Sequence, residues 1–128
     1  MIVDSSAIVA VLRGEPEQVK FSALLAATPR CRLSAATLLE TFIVQGQDRC
    51  GEVDELLAAI DAEVVPFDAE QARIARVAHG RFGKGTGSPA QLNFGDCMSY
   101  ALAKVRGEPL LFKGDDFTHT DIEPAIKG

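Results

Sequence analysis

The sequence predicts one α/β domain with a mostly parallel central sheet and helices on both of its faces. Three observations lead there. Four short apolar runs, "MIV", "CRLS", "EVVPF" and "PLLF", punctuate the chain, each of strand rather than helix length. Between them lie segments of helical length, and strands alternating with helices pair in parallel through crossovers. The chain has 128 residues, 47% of them hydrophobic and 24% charged, the size and balance of a single globular domain.

The elements follow in order. "MIV" reads as a buried strand ended by Asp4. "SSAIVAVLRGEP" continues as a helix that stops at Gly14 and Pro16. "EQVKFSALLAA" is a second helix, with Val19, Phe21, Leu24 and Leu25 expected along its inner side. After the short strand "CRLS" comes "AATLLETFIVQGQ", a helix of strong apolar content. "EVDELLAAIDA" is amphipathic, "EVVPF" is a strand, and "DAEQARIARVAHGRFG" is a long helix opened by Asp68 as N-cap. "GKGTGSPAQ" is the one loop of turn composition. The helix begun by "QLNFGDCMSYALAK", the strand "PLLF", the loop "KGDDFTHTD" and a short tail complete one domain, residues 1–128.

Bulk properties exclude several classes. Cys31, Cys50 and Cys97 are odd in number and form no CxxC, which argues against a disulfide framework or a zinc site and fits a reducing cytoplasm. No basic segment precedes the first apolar triplet, and no apolar run approaches the ~18 residues of a membrane span. A net charge of −5 weighs against a general nucleic-acid binder, unless the acids are gathered into one site.

The acids each have a local explanation. Asp4 precedes a helix and can cap it; Thr37-x-x-Glu40 matches a capping box; Asn93 and Asp96 match another; Asp115 and Asp116 can be a solvated turn after Gly114. The apolar neighbours Ala36, Ile43 and Val44 place Glu40 on or beside an inward face, where a lone carboxylate costs several kcal/mol. Some cation is therefore expected opposite it. In open parallel sheets, ligands bind beyond the carboxyl ends of the strands. "MIV" delivers Asp4 to that edge, and "PLLF" delivers the "KGDD" loop. Carboxylates gathered without a cation would raise one another's pKa values, and an all-oxygen set suits Mg²⁺ or Mn²⁺. The natural chemistry of such a site is phosphate-ester cleavage.

"IVDSSAIVAVL", "LSAATLLET", "LNFGDCMSYALAK" and "PLLFKGDDFTHTDI" together resemble the PIN-domain family, and within it the VapC-type toxin ribonucleases of toxin–antitoxin pairs. The resemblance covers nearly the whole chain. It implies a Mg²⁺- or Mn²⁺-dependent endoribonuclease in which Asp4 and Asp96 bind the ion and Glu40 binds it or orients the attacking water. In-line hydrolysis would leave a 5′-phosphate and a 3′-hydroxyl. A fourth acid is expected after the last strand. Gly114 stands where many relatives carry it, so Asp115 or Asp116 must substitute, with the "Asp-Phe" pair favouring Asp116. Ser6 either assists at the metal site or is a helix-start hydroxyl. The resemblance also implies a cognate VapB-type antitoxin, an RNA substrate and a homodimer, for which Leu24, Leu25, Leu56 and Leu57 are either an interface or core. RNA would approach over basic residues, with Arg13, Arg81, Lys84 and Lys113 as candidates.

Other readings compete. A metal-free ribonuclease would need His79 and His119 at one phosphate, and nothing in the sequence brings them together. "GRFGKGTG" fails the phosphate-loop pattern at two defining positions, Ala78 and Gly85. A phosphatase usually has a second aspartate where this chain has Ser6. A non-catalytic interaction module would use the acids as helix caps only, and would gain no stability from a divalent ion.

Overall fold

A computed structural model describes residues 1–126. The elements run β1 (Ile2–Val3), α1 (Ser5–Leu12), α2 (Gln18–Ala27), β2 (Arg32–Ser34), α3 (Ala35–Gln45), a 3₁₀ turn (Gln47–Arg49), α4 (Cys50–Ala59), β3 (Glu63–Val65), α5 (Ala69–Phe82), α6 (Phe94–Arg106) and β4 (Leu110–Leu111). Local chemistry sets their ends. Asp4, Ser34, Asp68 and Asn93 are N-caps whose side chains accept hydrogen bonds from first-turn amides. Gly107 ends α6 in the left-handed conformation, at φ 63°.

The strands form one parallel sheet in the order β3-β2-β1-β4. Ile2 pairs with Leu110 and Val3 with Leu111. The connection from β1 to β2 and β3 runs one way across the sheet, and β4 lies on the other side of β1. The order therefore reverses between β1 and β4, which is where such sheets hold ligands.

Alternate residues of each strand face opposite sides. Ile2 and Leu110 pack with Tyr100, Leu102 and Phe117 on the α5–α6 side. Val3, Leu33 and Leu111 pack with Ile8, Phe21 and Val53 on the α1–α2–α4 side. Each fully buried aliphatic side chain contributes about 1.5–3 kcal/mol, so two-residue strands are held mainly by the layers that cover them. Leu25 and Leu57 belong to the second of these cores, with Leu24 and Leu56 packed against it.

Two helix faces differ from the sequence expectation. Val19 is 79% exposed, because the inner side of α2 is set by Phe21 and Leu25, one turn apart. In α3 the expected apolar face is turned outward: Ile43 is 67% exposed and Val44 46%. The buried positions are Thr37, Thr41 and Gln45, spaced one turn apart. The C-terminal segment also differs from a simple tail. Leu110 N–H donates to the Glu123 carbonyl and Ala125 N–H to the Leu110 carbonyl, so this segment covers the otherwise open edge of β4. Tyr100 and Lys104 anchor it through Asp121, at 2.6 and 2.8 Å. The last two residues of the tail lie outside the described range. Among the described residues no helix is long and apolar enough to cross a membrane.

Candidate active site

Asp4 leaves β1 at the switch between β1 and β4 and is 3% exposed. Its Oδ2 accepts from the Ser6 amide at 3.1 Å and the Ser6 hydroxyl at 2.6 Å. Its Oδ1 accepts from the Ser99 hydroxyl at 2.6 Å. These bonds have a direction. Ser6 gives its one proton to Asp4, so its oxygen is free to accept from the Lys113 amide at 3.0 Å. Ser99 likewise gives its proton to Asp4, so Thr37, 3.2 Å away, donates to Ser99. A carboxylate has about four lone-pair positions. Two on Oδ2 and one on Oδ1 are filled within the protein.

Glu40 lies on α3, half-buried, and accepts from the Ser5 hydroxyl at 2.8 Å. Burial raises its pKa, the Ser5 hydroxyl opposes that, and the Asp4 charge adds to it. The expected cation opposite it is not a protein side chain: no ion pair among the described residues involves Glu40. Its capping box is not formed either. Ser34 caps α3, and Thr37 points its hydroxyl to Ser99 instead.

Asp96 occupies the third position of α6 and is 9% exposed. The capping box with Asn93 is present: Asp96 N–H donates to Asn93 Oδ1 at 2.8 Å, and Asn93 N–H donates to Asp96 Oδ2 at 3.1 Å. Burial pushes its pKa up to about 8; the Asn93 amide opposes this, and Asp4 and Asp116 reinforce it. Asp116 lies close enough to Asp96 to be among the groups that raise its pKa. Asp115 faces elsewhere. It borders a separate cleft with Phe21, Phe112 and Pro124, and its carbonyl accepts from Thr118.

Asp4, Glu40, Asp96 and Asp116 thus arrive from four separate segments and act on one another, and no basic group enters the balance at Glu40 or Asp96. No three His, Cys, Asp or Glu among the described residues are drawn in closely enough to enclose an ion. The donor chemistry nevertheless fits a hard divalent cation, since these are oxygen ligands that lack protein counter-charges.

Ser5, Ser99 and Gly95 take part in the site without standing out in the sequence, and Thr37 does so through Ser99 rather than through the capping box expected of it. Ser99 had a signal, being a polar residue one turn after Asp96 within a run buried from Asp96 to Ala103. Two of the expected RNA-facing cations are committed elsewhere. Arg13 donates to Gln45 and the Val44 carbonyl, and Lys113 pairs with Glu15 and Glu17. Arg81 and Lys84 are exposed, as are Arg73 and Arg76 on α5. Between α5 and α6 runs a mainly apolar groove of about 490 Å³, with Phe67, Arg76, His79, Phe94 and Met98 in its lining.

Residues 1–123 match the family model described as PIN domain. The chain is 50% identical over 129 residues to Ribonuclease VapC42 of Mycobacterium tuberculosis, covering 98% of each. It is similar in structure to Mycobacterium tuberculosis VapC20, described as a sarcin-ricin loop cleaving toxin. That match has a TM-score of 0.74 and 20% identity, and covers 94% of this chain and 95% of that one. A chain from a toxin–antitoxin complex of Klebsiella pneumoniae matches with a TM-score of 0.71 and 17% identity, covering 94% of this chain and 92% of that one.

Proposed function

Because this chain belongs to the PIN-domain family, we propose that it is an endoribonuclease and the toxin of a toxin–antitoxin pair. The observation that carries the reading is a series of four neighbouring carboxylates, Glu40 beside Asp4, Asp4 beside Asp96 and Asp96 beside Asp116, none of them in an ion pair among the described residues, in a chain half identical to a named ribonuclease. Capping accounts for Asp4 and Asp96 but not for Glu40, since Ser34 caps its helix, nor for Asp116. Ribonucleases of this family are in general divalent-metal dependent; here Mg²⁺ or Mn²⁺ is the proposed ion, with Asp4, Asp96 and Glu40 as its holders and Asp116 beside them.

When bound, such an ion neutralises charge on the phosphate and lowers the pKa of water. The protein's own groups prepare for it. Ser6 and Ser99 hold the Asp4 carboxylate so that one lone pair, on Oδ1, stays uncommitted. Asp96, whose pKa is raised by burial and by the nearby Asp4 and Asp116 charges, would be held in its ionised form by a bound cation. Glu40, turned by the Ser5 hydroxyl, accepts a proton from the attacking water or joins the ligand set. Hydrolysis leaves a 5′-phosphate and a 3′-hydroxyl. The protein acts in the cytoplasm on RNA, works as a homodimer, and is held in check by a VapB-type antitoxin; the whole of residues 1–128 forms the functional domain.

The test is expression of the chain and of Asp96→Asn, followed by sequencing of 5′-phosphorylated RNA ends. New ends and growth arrest are expected only with Asp96 intact. Equal toxicity without new ends would sink the reading.

A further inference from the structure

We propose that Gly95 is a positioning residue for Glu40: its bare Cα is the seat on which the Glu40 carboxylate rests, and it sets where that carboxylate stands beside Asp96. A Cβ on Gly95 would lie 1.9 Å from Glu40 Oε2, 2.6 Å from Cδ and 2.9 Å from Oε1. The whole carboxylate therefore covers the space a side chain would take.

Backbone conformation does not explain the glycine. Gly95 lies in the first turn of α6, and its φ is outside the left-handed region where glycine is favoured. A glycine in a helix costs about 0.5–1 kcal/mol relative to alanine, so one that no dihedral demands calls for a packing reason. The other helical glycines set the contrast: nothing stands within 4 Å of a Cβ on Gly51 or Gly80. Ser5 completes the seat by donating to Glu40 Oε1 at 2.8 Å. Glu40 is thus held between a hydroxyl from α1 and a bare backbone from α6, and its placement is tied to the residue directly before Asp96.

The obstructing atoms are the far end of a flexible side chain rather than backbone, so the fold can accept Gly95→Ala if Glu40 swings away. Real Cβ contacts essentially never fall below 3.0 Å, so Oε2 must retreat by about 1 Å or more. A displacement of about 1 Å at a reacting group can cost about 10²-fold in rate.

The inference rests on Glu40 belonging to the proposed active site, and the experiment separates the two. Gly95→Ala, Glu40→Gln, Glu40→Asp, the double variant Gly95→Ala/Glu40→Asp and Gly80→Ala are purified. Cleavage of total bacterial RNA in Mn²⁺ is followed by 5′-phosphorylated ends, together with the melting temperature in EDTA and along a Mn²⁺ titration. Gly95→Ala is expected to cleave about 10²-fold more slowly, to melt no lower than the parent in EDTA, and to need more Mn²⁺ for the same shift. Shortening the acid in the double variant should recover about tenfold over Gly95→Ala alone, since aspartate withdraws the carboxylate from the new methyl. Gly80→Ala should cleave at the parent rate. A parent-like rate in Gly95→Ala with Glu40→Gln inactive would overturn the seat alone. So would a Gly95→Ala rate loss accompanied by a lowered melting temperature in EDTA and no recovery in the double variant. A parent-like rate in Glu40→Gln would overturn the role of Glu40 and the seat with it.

Discussion

Replacing Ser99 by alanine removes a single buried oxygen on which the geometry of Asp4 depends. Ser99 is fully buried and donates to Asp4 Oδ1 at 2.6 Å while accepting from Thr37 at 3.2 Å. A hydrogen bond to a charged group is worth about 1.5–3 kcal/mol net, and a neutral one about 1 kcal/mol. Alanine's better helix propensity returns about 0.5 kcal/mol. The expected loss is about 2–3.5 kcal/mol in the metal-free protein. For a domain of this size each kcal/mol corresponds to roughly 3–5 °C, so the melt should fall by roughly 6–18 °C. Thr37→Val keeps the shape and removes only the outer bond, for about 1 kcal/mol. Because both bonds meet at Ser99, the two changes should not add: in the Ser99→Ala background, Thr37→Val should cost less by at least about 0.5 kcal/mol. Urea unfolding of the four proteins in EDTA measures this cycle. Ser99→Ala within about 0.5 kcal/mol of the parent, or strictly additive losses, would refute the reasoning that the hydroxyl chain holds Asp4.

Other outcomes are expected. Asp96 has its folded-state pKa raised to about 8 by burial, with Asp4 and Asp116 adding to it. The stability it contributes is therefore full below its unfolded pKa near 4 and lost as pH rises through about 8. In EDTA the melting temperature should fall between about pH 5 and 8, and Asp96→Asn should flatten that fall; an unchanged slope would contradict the burial argument. Asp116→Asn should lower the Mn²⁺-dependent cleavage rate by at least tenfold, whereas Asp115→Asn should stay within about threefold, both read on the same RNA; a stronger effect at Asp115 would reverse the choice of fourth acid. Tyr100→Phe removes the 2.6 Å bond to Asp121, and should cost about 1–2 kcal/mol and speed proteolysis of the C-terminal segment. An unchanged digestion rate would mean that Lys104 alone anchors it.

Much of the fold is legible along the chain. "MIV" ending at Asp4, the Asp68 cap and the Asn93–Asp96 capping box are local devices, each settled by a few neighbouring amides. The parallel sheet follows from short apolar runs separated by helices. Composition misleads at α3. A run as apolar as "LLETFIV" suggests an inward face, yet the helix turns Thr37, Thr41 and Gln45 inward. The hydroxyls of Thr37 and Ser99 find partners there, which lowers the cost of burying them, and Leu39, Ile43 and Val44 are left outside.

The sequence by itself determined where Asp4 and Asp96 sit on their own elements, because caps and strand ends depend on hydrogen bonds within a turn or two of backbone. Only the tertiary structure decided which acids act on one another. Asp116 approaches Asp96 while the adjacent Asp115 turns to another cleft, a difference made by the chain reversal at Gly114 (φ 101°) and by Phe117 burying beneath the loop. The same holds for Gly95 and Ser99. Their contacts with Glu40 and Asp4 exist because α6 packs against both α3 and β1, which closes distances that the chain leaves open.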